Sequence, residues 1–364
     1  MENHSSPGKS LPPGKRAEYI DAFRGCVMVS MLIGTFGLAK LAEHPLWGFF
    51  YGQLRHADWR GFHFEDIILP WFLFIIGLAM SFSYEKRQKL GQSYGQILSH
   101  VIKRTIILFA LGFIISWARV GKPYFGAGVL QILAICYFGS FLVLGKSIKI
   151  QIVAFASLLF IYWFFIFIIP IPEIERNSYI LYKNLVYYLD ETIIGTATRW
   201  GYLYTLITST AVVIFGSIIG KVLVKPPPHR KIMTLLLILG AGGIITGLVL
   251  NPVIPIIKRM FTSSYTLFAC GWICLLLLGF YWLIEVRDYR RWSFVFKVIG
   301  MNSIFIYTVH LLLEGWMRQT LSVFIAPFGS ILGVGRESLT AFFLLIAEFL
   351  LCLWLYRRKI FLRI

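Results

Sequence analysis

The sequence predicts an all-α fold, a polytopic transmembrane bundle of about ten helices with both termini on the cytoplasmic side. Two features of composition carry that expectation. Hydrophobic residues make up 58% of the 364-residue chain and charged residues only 14%, and the mean hydropathy is +0.74. The apolar residues are also gathered into blocks of the roughly 20 residues that a helix needs to cross a bilayer. The basic residues supply a third feature, because their distribution orients the bundle.

Taken in order, the apolar blocks run over 20–42, 66–84, 104–120, 126–145, 149–170, 200–224, 231–250, 262–284, 294–313 and 338–357. The first block has no small-residue cleavage site and nine further blocks follow it, so it reads as a span. In the seventh, Gly240, Gly242, Gly243 and Gly247 offer a small-residue face for close helix approach. Asn251-Pro252-Val253-Ile254-Pro255 follows and must break that helix beside Lys258 and Arg259, where irregular backbone at membrane depth needs protein or a wet cavity against it. Thr262, Ser263 and Ser264 read as the N-cap of the eighth span. The tract Pro226-Pro227-Pro228-His229-Arg230-Lys231 suits a stiff cytoplasmic connection between two halves of the bundle.

The formal net charge is +18. With ten spans and an inner N-terminus, roughly two thirds of the 35 Lys and Arg fall on the cytoplasmic side, as the positive-inside rule requires. The charge is therefore a topology signal and calls for no nucleic acid partner; the lipid bilayer is the expected one. Residues 1–16 are polar and rich in Pro and Gly, and are expected to be a disordered cytoplasmic tail ahead of a single membrane domain over 17–364. The five cysteines all sit in or beside apolar blocks and read as packing residues.

The most unusual stretch is Leu54-Arg55-His56-Ala57-Asp58-Trp59-Arg60-Gly61-Phe62-His63-Phe64-Glu65-Asp66, placed on the outer face at the start of the second span. It gathers two histidines, three carboxylates and two arginines where unpaired polar groups are costly. His56 is a candidate base or nucleophile at neutral pH, and Asp58, two residues on, is a candidate to orient it. Asp66 at the helix start is either a cap or a site residue. Trp59, Phe62, Phe64 and Trp71 suit an interfacial belt or a sugar-stacking wall. No metal is expected, because the spacing of His56, Asp58, His63, Glu65 and Asp66 fits no ligand pattern; His63 and Glu65 are expected to face the interface or each other.

Further polar groups lie at membrane depth and must find partners. Asp21 and Arg24 are spaced to meet on one helix face, as a structural pair or on the donor side of a site. Gln131, Asn302, Ser303 and His310 are candidates to line a cavity; Asn302 and His310, more than two turns apart, cannot share one contact.

Taken together, these segments resemble the heparan-α-glucosaminide N-acetyltransferase family, including its bacterial relatives of the NagX type. The resemblance rests on Ile20-Asp21-Ala22-Phe23-Arg24-Gly25, His56-Ala57-Asp58-Trp59-Arg60-Gly61, Glu65 to Gly77, Gly128-Val129-Leu130-Gln131 with Ala134, Phe261 to Tyr265, and Gly300-Met301-Asn302-Ser303 with Tyr307 and His310. It implies an integral-membrane acetyltransferase that takes acetyl-CoA from the cytoplasm and acetylates an amino sugar or glycan on the other side, with His56 catalytic as general base or acyl relay. It implies a homodimer and, for a NagX-like chain, a bacterial inner membrane. Thr35 stands where the family usually has an asparagine, and Ile132 follows Leu-Gln where an arginine is usual; Thr35 is the expected substitute donor at the cavity. The alternatives from other classes are a transporter or flippase for sugars or muropeptide fragments, and a catalytically silent protein of the same fold.

Overall fold

The computed structural model describes residues 18–121, 128–172, 174–195, 201–328 and 333–362. The tail expected over 1–16 and the first residues of the fourth block lie outside them. Among the described residues the protein is all-helical: α1 (Glu18–Ile33), α2 (Pro45–Gln53), α3 (Ile68–Lys89), α4 (Tyr94–Val120), α5 (Val129–Leu144), α6 (Ile148–Ile168), α7 (Leu185–Ile194), α8 (Thr205–Val224), α9 (His229–Leu250), α10 (Ser263–Tyr281), α11 (Phe294–Met301), α12 (Ser303–Ile325) and α13 (Arg336–Arg357).

Local chemistry sets the helix ends. Ser93 opens α4 with a capping box, its Oγ accepting from Gln96 N while Gln96 Oε1 accepts from Ser93 N, and Gly121 closes the helix at φ 77°. Thr262 caps α10 by accepting from Tyr265 N at 3.4 Å, as the Thr-Ser-Ser run predicts. Among the described residues seven helices are long and apolar enough to cross a membrane, or eight when the bent pair α11–α12 is counted as one span. The first and fourth expected spans are shorter than drawn from sequence, α1 and α5 having 16 residues each. Past Ile33 the chain turns through Gly34, Phe36 and Gly37, all at positive φ, so residues 34–42 leave the helix. The ninth expected span is bent by 79° between α11 and α12, with Asn302 at the bend.

Burial separates the spans by role. In α3 and α8, 61% and 72% of the apolar window is buried, against 22% in α4, α6 and α9; the first two are the centre of the bundle and the other three present apolar side chains outward. Contact between α3 and α8 is close because a Cβ at Gly77 would stand 1.9 Å from Val213 O, and one at Gly216 2.1 Å from Phe74 O. The glycine face of α9 packs on α10 as expected: Gly240, Gly243 and Gly247 meet it, with Gly243 against Gly271, while a Cβ at Gly242 would meet nothing. α1 lies against α11, α3 and α10, with Phe23 4.8 Å from Trp71 of α3 and 5.5 Å from Phe280 of α10. Trp71, 1% exposed, is thus core and not belt.

Candidate active site

Asp66 organises the His56 loop. Its Oδ2 accepts from His63 N at 2.8 Å and Ala57 N at 3.2 Å, which ties the turn back onto the start of the second span. Its Oδ1 lies 3.1 Å from His56 Nδ1. The carboxylate is fully buried, so the group that caps the turn is also the one beside the His56 ring. Tyr265 Oη donates to Asp66 O at 2.6 Å and fixes the backbone from α10.

Asp58 does not orient His56. Its carboxylate is 89% exposed and pairs with Arg55; the loop turns between positions 56 and 58, so the two side chains point apart. The histidine's carboxylate is Asp66, ten residues on.

The second partner comes from the far side of the chain. The broken segment after α9 is held by Asn251 Oδ1 accepting from Ile256 N at 2.9 Å, by Thr262 Oγ1 donating to Pro255 O at 2.8 Å, and by Gly61 N donating to Ile256 O at 3.0 Å. That scaffold sets Lys258 Nζ 2.7 Å from His56 Nδ1 and 3.4 Å from Asp66 Oδ1. Burial pushes the Lys258 ammonium below its usual range, against the pull of the Asp66 and Glu65 charges. Burial likewise lowers the proton affinity of His56; the hydrogen bond to Asp66 opposes this and the Lys258 charge adds to it. A neutral imidazole is therefore favoured. With Nδ1–H donated to Asp66, the lone pair is on Nε2, the arrangement of a carboxylate-oriented histidine. A Lys258 that donates to Nδ1 would instead select the other tautomer, so these two neighbours compete for one nitrogen.

A cavity of about 270 Å³ opens beside this cluster, lined by His56, Glu65, Lys258, Arg259, Tyr307 and apolar residues of α3 and α5 that include Ile132. Glu65 faces this cavity and not His63, whose Nδ1 lies 3.0 Å from Arg55 O. Farther along the loop Trp59 donates to Tyr179 O at 2.8 Å and lies 6.2 Å from the Tyr187 ring.

The remaining sequence candidates are dispersed. Thr35 is exposed in the turn after α1, outside the cavity lining. Gln131 is buried and donates to Ser116 Oγ at 3.3 Å. Asn302 donates to Ile360 O and accepts from Leu362 N, each at 3.1 Å, holding the C-terminal segment to the α11–α12 bend; Ser303 follows at the start of α12. His310 is buried with Nδ1 2.7 Å from Glu348 Oε1. Asn302 and His310 thus have separate partners. Asp21 and Arg24 pair at 2.9 Å, and Arg24 Nε donates to Gly300 O at 2.6 Å. Sequence reading missed Glu348, a carboxylate in the middle of an apolar helix, and missed that Lys258 meets His56; the signals were an acidic residue inside a span and a cation directly after two helix-breaking prolines.

Two further cavities lie near the opposite ends of the helices. One of about 590 Å³ is lined by Arg290, Lys297, Arg357 and Lys359 together with Glu18, Asp21 and Glu285. The other, of about 390 Å³ between α3, α4 and α5, has Arg87, His100, Lys103 and Arg104 and no carboxylate in its lining.

Comparison with known proteins places the sequence in a family. The human heparan-alpha-glucosaminide N-acetyltransferase is 31% identical over 139 residues, covering 35% of this chain and 19% of the human protein. The mouse protein of the same name is 30% identical over 133 residues, 34% of this chain and 18% of the mouse protein. The chain thus matches about a fifth of the length of these curated relatives. The sequence family described as heparan-alpha-glucosaminide N-acetyltransferase, catalytic, matches residues 16–242, which include the whole His56 loop. With well over half its length matched, this chain belongs to the heparan-alpha-glucosaminide N-acetyltransferase catalytic family.

Proposed function

We propose that this protein is a membrane acetyltransferase that moves an acetyl group from acetyl-CoA to an amino sugar or related glycan, with His56 as the reacting histidine. The observation that carries this reading is the buried Asp66 at 3.1 Å from His56 Nδ1, beside a cavity that the imidazole lines. Asp66, and not Asp58, is the orienting carboxylate. Nε2 takes the proton of the acceptor nitrogen as that nitrogen attacks the thioester carbonyl, the C–S bond breaks, and the proton passes to the departing thiolate. In the relay version Nε2 itself attacks the thioester carbon, the C–S bond breaks and CoA leaves as the thiol with the ring's proton, and the acetyl group stays on the ring until the acceptor nitrogen takes it.

The donor side is supported by the two basic cavities. Arg87 lies far down α3 from Asp66, about 30 Å along a helix, so phosphates held there and chemistry at His56 use opposite ends of the bundle. The carboxylate-free cavity of Arg87, His100, Lys103 and Arg104 suits phosphate better than the mixed one. In this reading the His56 loop faces the outer side of a cell membrane, the inner membrane if the source is bacterial.

The test is transfer of labelled acetyl from acetyl-CoA to glucosamine by the purified, lipid-reconstituted protein. Transfer that is lost in His56→Ala and kept in His63→Ala supports the proposal; sugar uptake into sealed vesicles without release of CoA would replace it with transport. Hydroxylamine-sensitive label trapped on wild-type protein at neutral pH in the absence of acceptor, missing in His56→Ala, identifies the relay.

A further inference from the structure

We propose that Glu65 is the acceptor-binding residue of the cavity, a carboxylate that receives the charged nitrogen of a primary ammonium and so selects amines over hydroxyls; this rests on the acyl-transfer reading of His56. Glu65 lines the same cavity as His56. Its Oε2 is buried and has no hydrogen-bond partner among the described residues, and no ion pair involving Glu65 is formed among them. A buried carboxylate oxygen without a partner is costly unless something arrives to satisfy it.

Of the neighbouring groups, Lys258 and Asp66 are engaged with His56 and with each other. Lys258 Nζ is at hydrogen-bond distance from His56 and at ion-pair distance from Asp66. Asp66 spends its second oxygen on two backbone N–H groups. Arg259 reaches toward Tyr187. Of the two carboxylates at this site, Glu65 alone has an oxygen left for a ligand. The partner that best completes a buried carboxylate is a cation with several N–H donors, which an ammonium supplies and a sugar hydroxyl does not.

Position on the helix start adds a second argument. Glu65 and Asp66 are adjacent in the turn Phe64–Ile67 that leads into α3, so a nitrogen held by Glu65 stands one residue from the carboxylate that holds His56. The docked ammonium gives its surplus proton to water; the amine then loses a second proton to His56 as its lone pair closes on the thioester carbon, and that proton leaves on the CoA thiol.

The experiment compares glucosamine with glucose, which lacks the nitrogen, on wild type, Glu65→Gln, Glu65→Asp and His56→Ala in lipid nanodiscs. Binding is read by calorimetry and transfer by labelled acetyl-CoA. Wild type should bind glucosamine at least about tenfold more tightly than glucose. Glu65→Gln should erase that preference and raise the glucosamine KM by about tenfold or more while the acetyl-CoA KM stays within about twofold; Glu65→Asp should restore part of it. Equal binding of the two sugars by wild type, an unchanged glucosamine KM in Glu65→Gln, or a parallel rise in donor KM would each overturn the assignment. His56→Ala should keep the binding preference while losing transfer. A preference for glucosamine without transfer by wild type would overturn the acyl-transfer reading and leave the ammonium site standing.

Discussion

His56 is caught between an acid and a base that act on the same nitrogen, and the two neighbours have opposite consequences for pH. Burial and the Lys258 charge lower its proton affinity while Asp66 raises it. Transfer requires the neutral ring, so the acid limb of the rate profile should lie below the ordinary histidine range of about 6.5. Replacing Lys258 with Met removes a depressing charge and should move that limb to higher pH; Asp66→Asn removes a raising one and should move it lower. Asp66→Asn should also cut the rate by about 10²-fold or more, because an amide no longer selects the productive tautomer. Both outcomes are read from kcat/KM against pH. At this scale the sequence was partly legible. The loop, the Asp66 cap and the Asp21–Arg24 pair follow from neighbours within a few residues. Asp58 misled because proximity in sequence does not fix direction in a loop, and here Arg55 claims that carboxylate.

Helix ends and helix contacts were the next most legible layer. Thr262 was readable as a cap, and the structure gives it further work, since its hydroxyl also accepts from Ile257 N at 3.2 Å and donates to Pro255 O. Thr262→Val, which keeps the shape and removes the hydroxyl, should lower stability by about 1–2 kcal/mol, read as a fall in Tm of the detergent-solubilised protein. It should also weaken transfer, because this hydroxyl anchors the segment that delivers Lys258. Gly216→Val, aimed at Phe74 O, should force α3 and α8 apart at a cost of about 1–3 kcal/mol or more. Thr35 shows where apolar runs deceive: hydropathy continues past Ile33, but Gly34 and Gly37 take the chain through left-handed turns. The pair of glycines was the available signal. The bend at Asn302 had no comparable one, because it depends on an amide that meets the backbone of Ile360 and Leu362.

Across the molecule, pairings between distant segments decide what hydropathy cannot. His310 and Glu348 join α12 to α13 through a buried contact of 2.7 Å. Removal of one partner strands the other, so His310→Leu or Glu348→Leu alone should destabilise by about 3–5 kcal/mol, and the double variant should recover most of the loss. Equal losses that simply add in the thermal melts would show that the pair contributes no coupling. All-helical, multi-pass architecture was legible from composition, because lipid leaves the backbone no other way to satisfy its polar groups. Which helix meets which was not, since every apolar face reads alike.

The distance in sequence between His56 and Lys258, 202 residues, gives the chain a history as it is made. When the His56 loop is made, the lysine that will share its histidine has not yet been synthesised. Only after α9 has crossed and the proline-broken segment has turned back does the cation arrive. The matched family stretch ends at residue 242, ahead of that moment. Until the second half of the bundle is made, the loop holds His56 and its carboxylate without the cation that lowers the ring's proton affinity.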